Sequence, residues 1–225
     1  MKATLAGYTV ATEHVYDALN PLKFEDTMPR PADLLAEFAG RLCYLSFHKP
    51  NPKTRLNRPY LDHIIELQHN SVLEHASVSF KVEGVSRHLL GELTRHRHAS
   101  YSVESLRYCP PRTFAIHPTV AEHPELEQNM AEWWDLALER YNEVYDFLTR
   151  RKVPLKQARE TAAQWLPLST DTSLVITANL SAWRYILARR LDPSANREIR
   201  KLAEVVLEAL KEYAPATFQD MEVAA

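Results

Sequence analysis

The chain has 225 residues, of which 45% are hydrophobic and 25% are charged, and its formal net charge is -2. This composition is typical of a soluble globular protein, and the small net charge argues against a general attraction to nucleic acid. The two cysteines, Cys43 and Cys109, lie far apart and in no metal-ligand spacing, which favours a reducing cytoplasm over a disulfide framework. The sequence contains no signal peptide, apolar membrane span, GxGxxG turn or P-loop, so we expect neither membrane association nor those nucleotide-binding turns.

The first part of the chain is predicted to contain one strand and two helices. Residues 3–11 alternate in polarity as a half-buried strand does, whereas the polar, proline-bearing residues 12–30 predict a loop. Pro31 opens a helix that runs to about Phe47 and has leucines on one face. A second helix is predicted over residues 58–69.

Two sequence signals conflict just after this helix. Ser71 and Glu74 match a capping box, in which a serine caps a helix and a glutamate three residues later reaches back to it. Residues 75–82 nevertheless alternate as a strand does. Both signals hold if the cap begins only a single helical turn. Ser86 is then predicted to cap a helix over residues 87–97.

The second half of the chain is predicted to be mainly helical. Residues 112–126 are predicted to form a loop and residues 172–178 a strand, and Ser181 is predicted to cap a helix. The other helices are predicted over residues 127–151, 154–165 and 194–213. These elements indicate a single α+β domain over residues 1–225, mostly helical, with a small antiparallel or mixed sheet.

The segment with the densest functional chemistry covers residues 95–108. It contains three arginines, two histidines, three serines and two tyrosines. Guanidinium and hydroxyl groups at this density can bind an anion through its oxygens. The alternative is that the arginines form a solvated basic face, since cations at the end of a helix are favoured by its dipole.

This segment resembles the signature of the flavin-dependent thymidylate synthases, the ThyX family. Arg95, His96 and Arg97 are followed after seven residues by Ser105, as the family's Arg-His-Arg signature requires. Other blocks resemble the family in the same order, namely His69–His75, then Leu166-Pro167, Asn179, Trp183-Arg184 and Arg190, and finally Glu198-Ile199-Arg200. The resemblance covers about residues 34–220 and implies a ThyX-like fold.

The resemblance implies an enzyme that transfers a one-carbon unit from methylenetetrahydrofolate to C5 of dUMP. Reduced FAD, made with NADPH, supplies the hydride in this family, and no enzyme cysteine attacks the pyrimidine. The family forms homotetramers in which FAD lies between subunits. Each active site therefore draws residues from several chains.

The resemblance also assigns roles to individual residues. Arg190 matches the arginine at the pyrimidine edge, where its fixed charge would stabilise the N3-deprotonated ring, and it is the expected catalytic residue. Ser105 and Arg107 match positions that hold the nucleotide phosphate. The full set expected to bind the nucleotide is Glu92, Arg95, Ser105, Arg107, Arg159 and Arg190. The set expected to bind the flavin is His69, Ser71, Glu74, Arg95, His96, Arg97, Asn179, Ser181 and Tyr185.

The chain departs from the family at several positions. Ala163 stands where the family has a nucleotide-contacting arginine, and Arg159, one helical turn earlier, could substitute for it. Ser181 stands where the family commonly has a flavin-contacting arginine. The remaining departures are Val103, Tyr185 and Ser194.

These departures keep two further hypotheses open. In the first, the C5 chemistry is retained but UMP is preferred over dUMP, as would suit a specialised nucleoside pathway. In the second, the chain is a catalytically silent relative that still binds FAD or a nucleotide. Binding of nucleic acid through the basic segment is disfavoured by the net charge and by the lack of interleaved aromatic residues.

Overall fold

A computed structural model describes residues 1–19, 29–48 and 51–223. The strands are β1 (Lys2–Tyr8), β2 (Ser77–Ser86), β3 (Ala99–Val103) and β4 (Asp171–Asn179). The helices are α1 (Glu13–Leu19), α2 (Pro31–Cys43), α3 (Asn57–Glu66), α4 (Arg87–Leu93), α5 (Pro118–Ala121), α6 (Pro124–Arg150), α7 (Leu155–Ala162), α8 (Leu180–Arg190) and α9 (Arg197–Tyr213). Short 3-10 turns cover Pro52–Thr54, Asn70–Glu74 and Ala163–Trp165. Among the described helices, none combines the length and apolar character needed to cross a bilayer.

The strands form an antiparallel sheet in the order β1–β2–β4–β3. On β2, Val78, Phe80 and Val82 are fully buried because alternate side chains of a strand point to the same face. Trp183 of α8 packs edge-on against Phe80, with ring centroids 5.4 Å apart, and its Nε1 donates to the carbonyl oxygen of Val78 at 3.0 Å. This packing fixes α8 against the centre of the sheet.

A buried carboxylate joins α9 to the start of α4. Glu198 accepts hydrogen bonds from the backbone N–H of Ser86 at 2.8 Å and from the Ser86 hydroxyl at 2.6 Å. The Ser86 oxygen in turn accepts from the backbone N–H of Leu89 at 3.0 Å, so the predicted N-cap is confirmed. Because α4 leads directly to Arg95, this anchor sets the position at which the arginine segment begins.

A second buried carboxylate ties the residues after α9 to α2. Asp33 accepts from the backbone N–H of Ala216 at 2.9 Å, and from the backbone N–H and the hydroxyl of Thr217 at 3.0 and 2.6 Å. Burial raises the pKa of Asp33 to about 6, although the hydrogen bonds from Thr217 and Ala216 oppose this rise. The C-terminal segment is therefore held by an acceptor inside the protein.

The predicted loops at 12–30 and 112–126 are partly wrong. Residues 13–19 form α1, whose Val15 and Leu19 pack in a small core with Leu34, whereas residues 20–28 lie outside the described ranges. Two apolar residues at helical spacing gave too weak a signal among the surrounding polar residues. The second loop contains α5 and the first turn of α6.

Two predicted caps are also wrong. Ser71 lies inside the 3-10 turn, which follows His69 and has no side-chain cap. Ser181 lies in the first turn of α8, and Asn179 caps this helix instead by accepting from the backbone N–H of Ala182 at 2.8 Å. Serine and asparagine are both favoured caps, so residue type alone did not distinguish the two positions.

The arginine segment has more regular structure than its composition suggested. Helix α4 ends at Leu93, four residues before the predicted end, so Arg95–Arg97 follow the helix. Residues 99–103 form β3, where no strand was predicted. This edge strand pairs with β4 alone, and its two serines are exposed, whereas the alternating Ala99, Tyr101 and Val103 are partly buried.

The Glu198 anchor can be tested by substitution. We expect Glu198→Ala to lower the free energy of unfolding by about 3 kcal/mol, because two donors of Ser86 lose their buried charged acceptor. Chemical denaturation measures this change. Glu208→Ala, an exposed position on the same helix, is the matched control and should change the stability by less than about 0.5 kcal/mol. Equal effects of the two substitutions would contradict the anchoring role.

Candidate active site

A cleft of about 1140 Å³ opens beside the segment that follows α4 and the exposed face of α8. It brings together residues from three distant parts of the chain. The sequence-predicted site residues in its walls are Glu74, Arg95, His96, Arg97, Asn179, Ser181, Tyr185 and Arg190. Most of the predicted flavin-binding set therefore shares one cavity with the predicted catalytic arginine.

Arg190, in the last turn of α8, is bound to α4 and to the turn after it. Its Nη1 donates to Glu92 Oε2 at 2.9 Å, its Nη2 to the Glu92 carbonyl oxygen at 2.8 Å, and its Nε to His96 Nε2 at 2.8 Å. The Arg190 side chain is 15% exposed. Three protein acceptors thus hold a guanidinium group at the wall of the cleft, in a fixed orientation.

Glu92 is the acidic partner of two cleft arginines. Its other carboxylate oxygen, Oε1, lies 3.5 Å from Nη1 of Arg95, which is largely exposed. The sequence resemblance assigned Glu92 to the nucleotide. In the structure its carboxylate positions Arg190, so any contact with a nucleotide has to be made beside that pair.

His96 is the buried member of the Arg-His-Arg triplet, with 7% of its surface exposed. Because its Nε2 accepts from Arg190, the proton of the neutral ring is on Nδ1, which has no hydrogen-bond partner among the described residues. Burial lowers the pKa of His96, and the nearby positive charge of Arg190 lowers it further. The ring is therefore held neutral while it accepts from Arg190.

Tyr101 of β3 fixes the turn that carries His96. Its hydroxyl lies 2.9 Å from the carbonyl oxygen of Leu93 and 3.0 Å from that of His96, so its single proton can be donated to either. Burial raises the pKa of Tyr101 to about 12, which keeps the hydroxyl protonated as a donor. The end of α4 is thereby fastened to the sheet.

The predicted phosphate-binding residues form a second cluster, on the loop after β3. Arg107 pairs with Glu160 of α7 at 2.7 Å, and the Ser105 hydroxyl lies 3.4 Å from the Arg107 backbone N–H. Arg159 donates from Nη1 to the carbonyl oxygen of Tyr108 at 2.9 Å. Arg159 thus contacts this loop. Such a contact is required if Arg159 takes the place of the family arginine that is replaced by Ala163 in this chain.

The two clusters lie at opposite ends of β3. Arg97 precedes this five-residue strand and Ser105 follows it, and such a strand spans about 16 Å. Ser105, Arg107 and Arg159 do not line the cleft. A single chain therefore presents the cleft residues and the predicted phosphate-binding residues at separate places.

His69 and Ser71 do not line the cleft either. Both are exposed, and the 3-10 turn that contains Ser71 also carries Glu74, which does reach the cleft wall. Val72 and Leu73 anchor this turn by pointing into the core. The turn therefore presents its polar side chains to the outside, near one edge of the cavity.

Arg189 also lines the cleft, although no motif in the sequence indicated it. A signal was available, because Ser181, Tyr185 and Arg189 recur every four residues and so share one face of α8. Arg189 lies in a basic run at the end of a helix. Because the helix dipole favours cations there, its charge did not indicate a binding role. Of the departures from the family, Ser194 lines the cleft as well, and Val103 ends β3.

The cleft suits FAD in volume and charge. Its volume exceeds the range of about 300–1,000 Å³ that is common for small-molecule sites. Arg95, Arg97 and Arg189 supply positive charge for a diphosphate. Tyr185 offers an exposed aromatic ring, and the Asn179 side-chain NH₂ is left for a ligand because its oxygen caps α8.

Comparisons with known proteins decide the family. A family model described as thymidylate synthase complementing protein, Thy1, matches residues 24–216. The chain is 45% identical over 199 residues to the flavin-dependent thymidylate synthase of Mycobacterium avium (strain 104), covering 84% of this chain and 80% of that protein. The chain belongs to the flavin-dependent thymidylate synthase family. The expected enzyme class and flavin dependence are thereby confirmed.

Two further matches cover nearly the whole chain. A probable flavin-dependent thymidylate synthase of Mycobacterium phage D29 is 42% identical over 228 residues, 98% of this chain and 96% of that protein. The crystal structure of ThyX from Helicobacter pylori with FAD and dUMP matches with a TM-score of 0.68 and 25% identity, and covers 98% of both chains. The predicted ThyX-like α+β fold is therefore confirmed.

The neutral state of His96 gives a pH-dependent prediction. We expect its ring to titrate below the ordinary value of about 6.5, and Arg190→Met to raise this pKa because a nearby positive charge is removed. NMR titration of the ring C–H signals measures both. Since the folded-state pKa is lowered, the unfolded chain binds more protons on acidification, so the contribution of His96 to stability is lost as pH falls below about 6.5.

Arg150→Met, at the end of α6 and outside the cleft, is the control for the removal of an arginine. It should leave the titration of His96 unchanged. The assignment fails if His96 titrates at or above 6.5 in the unmodified protein, or if Arg190→Met lowers its pKa.

Proposed function

We propose that this chain is a thymidylate synthase that methylates dUMP at C5, with methylenetetrahydrofolate as the carbon donor and NADPH-reduced FAD as the reductant. The observation that carries the proposal is the fixed orientation of Arg190 at the cleft wall, between Glu92 and His96. We propose that residues 1–225 act as one domain. A cytoplasmic location stays a prediction.

The hydrogen bonds of Arg190 leave it partly available to a substrate. A guanidinium group has five N–H donors, and three of them meet protein acceptors. The two that remain, one on each Nη, can bind two neighbouring acceptors on the pyrimidine edge. The permanent charge of arginine then stabilises the N3-deprotonated ring, which increases electron density at C5 for attack on the carbon donor.

Preorganisation explains why Glu92 and His96 are needed for this role. A free arginine side chain has many rotamers, and ordering it costs free energy at the moment of binding. Glu92 and the neutral His96 hold Arg190 in one orientation before the substrate arrives. A protonated His96 could not accept from Arg190 and would add a repelling charge, so its lowered pKa supports the arrangement.

The walls of the cleft are proposed to hold the flavin. Arg95, His96, Arg97 and Asn179 provide cationic and neutral donors, and Glu74, Ser181 and Tyr185 complete the walls. Bound FAD, once reduced by NADPH, supplies the hydride that completes the methyl group. Cationic donors beside a flavin favour its anionic reduced form. His69 and Ser71, on the turn that carries Glu74, are proposed to contact the cofactor from outside the cleft.

We propose that the active site is completed by assembly into a homotetramer. Ser105, Arg107 and Arg159 are proposed to bind the nucleotide phosphate, but they lie at the far end of β3 from the cleft. A phosphate cluster from another chain can lie over the cleft in a symmetric oligomer. Exposed apolar side chains such as Trp133, Trp165 and Leu168 support burial of further surface.

We propose dUMP, rather than UMP, as the substrate. The Mycobacterium avium relative is a flavin-dependent thymidylate synthase, and the Helicobacter pylori structure contains dUMP. The departures at Ala163, Ser181 and Val103 motivated the UMP hypothesis, but no comparison favours it. Retention of Arg190, Ser105 and Arg107 also argues against a catalytically silent relative.

Tritium release from 5-labelled nucleotides tests the proposal. With FAD, NADPH and methylenetetrahydrofolate present, we expect release from dUMP to be much faster than from UMP. Arg190→Ala should slow release from dUMP by about 100-fold or more, as the loss of one preorganised charged donor does in other enzymes. Arg150→Ala is the control and should keep the original rate. Faster release from UMP, or an active Arg190→Ala variant, would contradict the proposal.

A further inference from the structure

Three side chains line the cleft along one face of α8. Ser181, Tyr185 and Arg189 follow one another at intervals of four residues. With a rise of 1.5 Å per residue, this row spans about 12 Å of the cavity wall. The face changes along its length from a small hydroxyl to an aromatic ring and then to a guanidinium group.

Arg189 differs from the other two arginines of α8 in having no acidic partner among the residues that the structure describes. Arg184 forms a salt bridge with Asp220 at 2.6 Å, and Arg190 forms one with Glu92 at 2.9 Å. Arg189 forms no salt bridge and no side-chain hydrogen bond with the described part of the chain, and it is exposed. Its charge is therefore available to a ligand in the cleft.

The guanidinium group of Arg189 is nevertheless oriented by the protein. Its carbon lies 5.5 Å from the centroid of the Tyr185 ring, within the range of a cation–π contact. Tyr185 in turn makes an edge-to-face contact with the buried His96 ring, with centroids 6.0 Å apart. A buried histidine thus supports the tyrosine, and the tyrosine supports the arginine. This chain of contacts restricts the rotamers of a long exposed side chain.

The charge balance of the cleft calls for a ligand with concentrated negative charge. Arg95, Arg97 and Arg189 are all exposed in its walls, whereas Glu74 is the carboxylate among the wall residues. Ser181 adds no charge, and its side chain is too short to reach across the cavity. Of the parts of FAD, the diphosphate carries the concentrated charge, because the flavin and adenine rings are uncharged in the oxidised cofactor.

We propose that Arg189 binds the diphosphate of FAD, and that Tyr185 positions it for this contact. The inference rests on the proposed function, since it assumes that the cleft holds FAD. Arg189 contributes a charge-assisted hydrogen bond to a phosphate oxygen from the far end of the α8 face. Tyr185 acts through Arg189, so its aromatic ring is required and its hydroxyl is not.

The affinity for FAD tests the contact between Arg189 and the diphosphate. It is measured by the quenching of flavin fluorescence when FAD is titrated with cofactor-free protein. We expect Arg189→Ala to raise the Kd for FAD by about 10- to 100-fold and Arg189→Lys by less, since lysine keeps the charge. Tyr185→Ala should bind FAD more weakly than the unmodified protein, and Tyr185→Phe, which keeps the aromatic ring, should bind it more tightly than Tyr185→Ala. Arg150→Ala, the removal of an exposed arginine from the end of another helix, should leave the Kd unchanged.

A second readout separates a charge contact from a general loss of structure. The Kd of the unmodified protein should rise with salt concentration more steeply than that of Arg189→Ala, because one ionic contact is missing in the variant. A Kd for FAD within about twofold of the original in Arg189→Ala overturns the inference. If the same variant instead raises the KM for NADPH, dUMP or the folate, Arg189 serves another anion. Failure of the unmodified protein to bind FAD would contradict the proposed function itself.

Discussion

The site depends on the hydrogen bonds that fix the guanidinium group of Arg190. This group joins α8 to α4 through Glu92 and His96, which are separated from it by more than ninety residues of sequence. Each of these helices is anchored elsewhere, α4 by the Glu198–Ser86 hydrogen bonds and α8 by Trp183 against the sheet. Because both supports are buried, the arginine is presented to the cleft with little freedom. The arrangement suits a charge that must act on a developing anion.

Much of the fold could be predicted from periodicity, and the failures have physical reasons. The central strands β2 and β4 and the long helices α6 and α9 bury regular apolar faces, so their patterns were clear. Strand β3 was missed because it is an edge strand with outward serines, and its short alternation is surrounded by charged residues. The start of α8 was misplaced by two residues because Asn179 and Ser181 are equally suitable caps.

The site was predictable where its chemistry is local in sequence. The Arg-His-Arg segment and its serine identified the family, and eight of the predicted residues share the cleft. What the sequence could not provide is how these side chains contact each other. Glu92 holds Arg190, and the buried His96 accepts from it, which no spacing rule predicts. Arg189 was missed because an arginine in the last turn of a helix already has an ordinary electrostatic reason to be there.

We propose that one chain provides Arg190 and another provides the phosphate-binding Ser105, Arg107 and Arg159 of the same active site. A mixing experiment with two inactive variants, Arg190→Ala and Arg107→Ala, tests this arrangement. The two variants are dissociated, mixed and reassembled into oligomers that contain both kinds of chain. We expect the mixed oligomers to regain thymidylate synthesis, because some sites then combine an intact Arg190 with an intact Arg107. Oligomers that contain both variants and remain as inactive as either variant alone would contradict it.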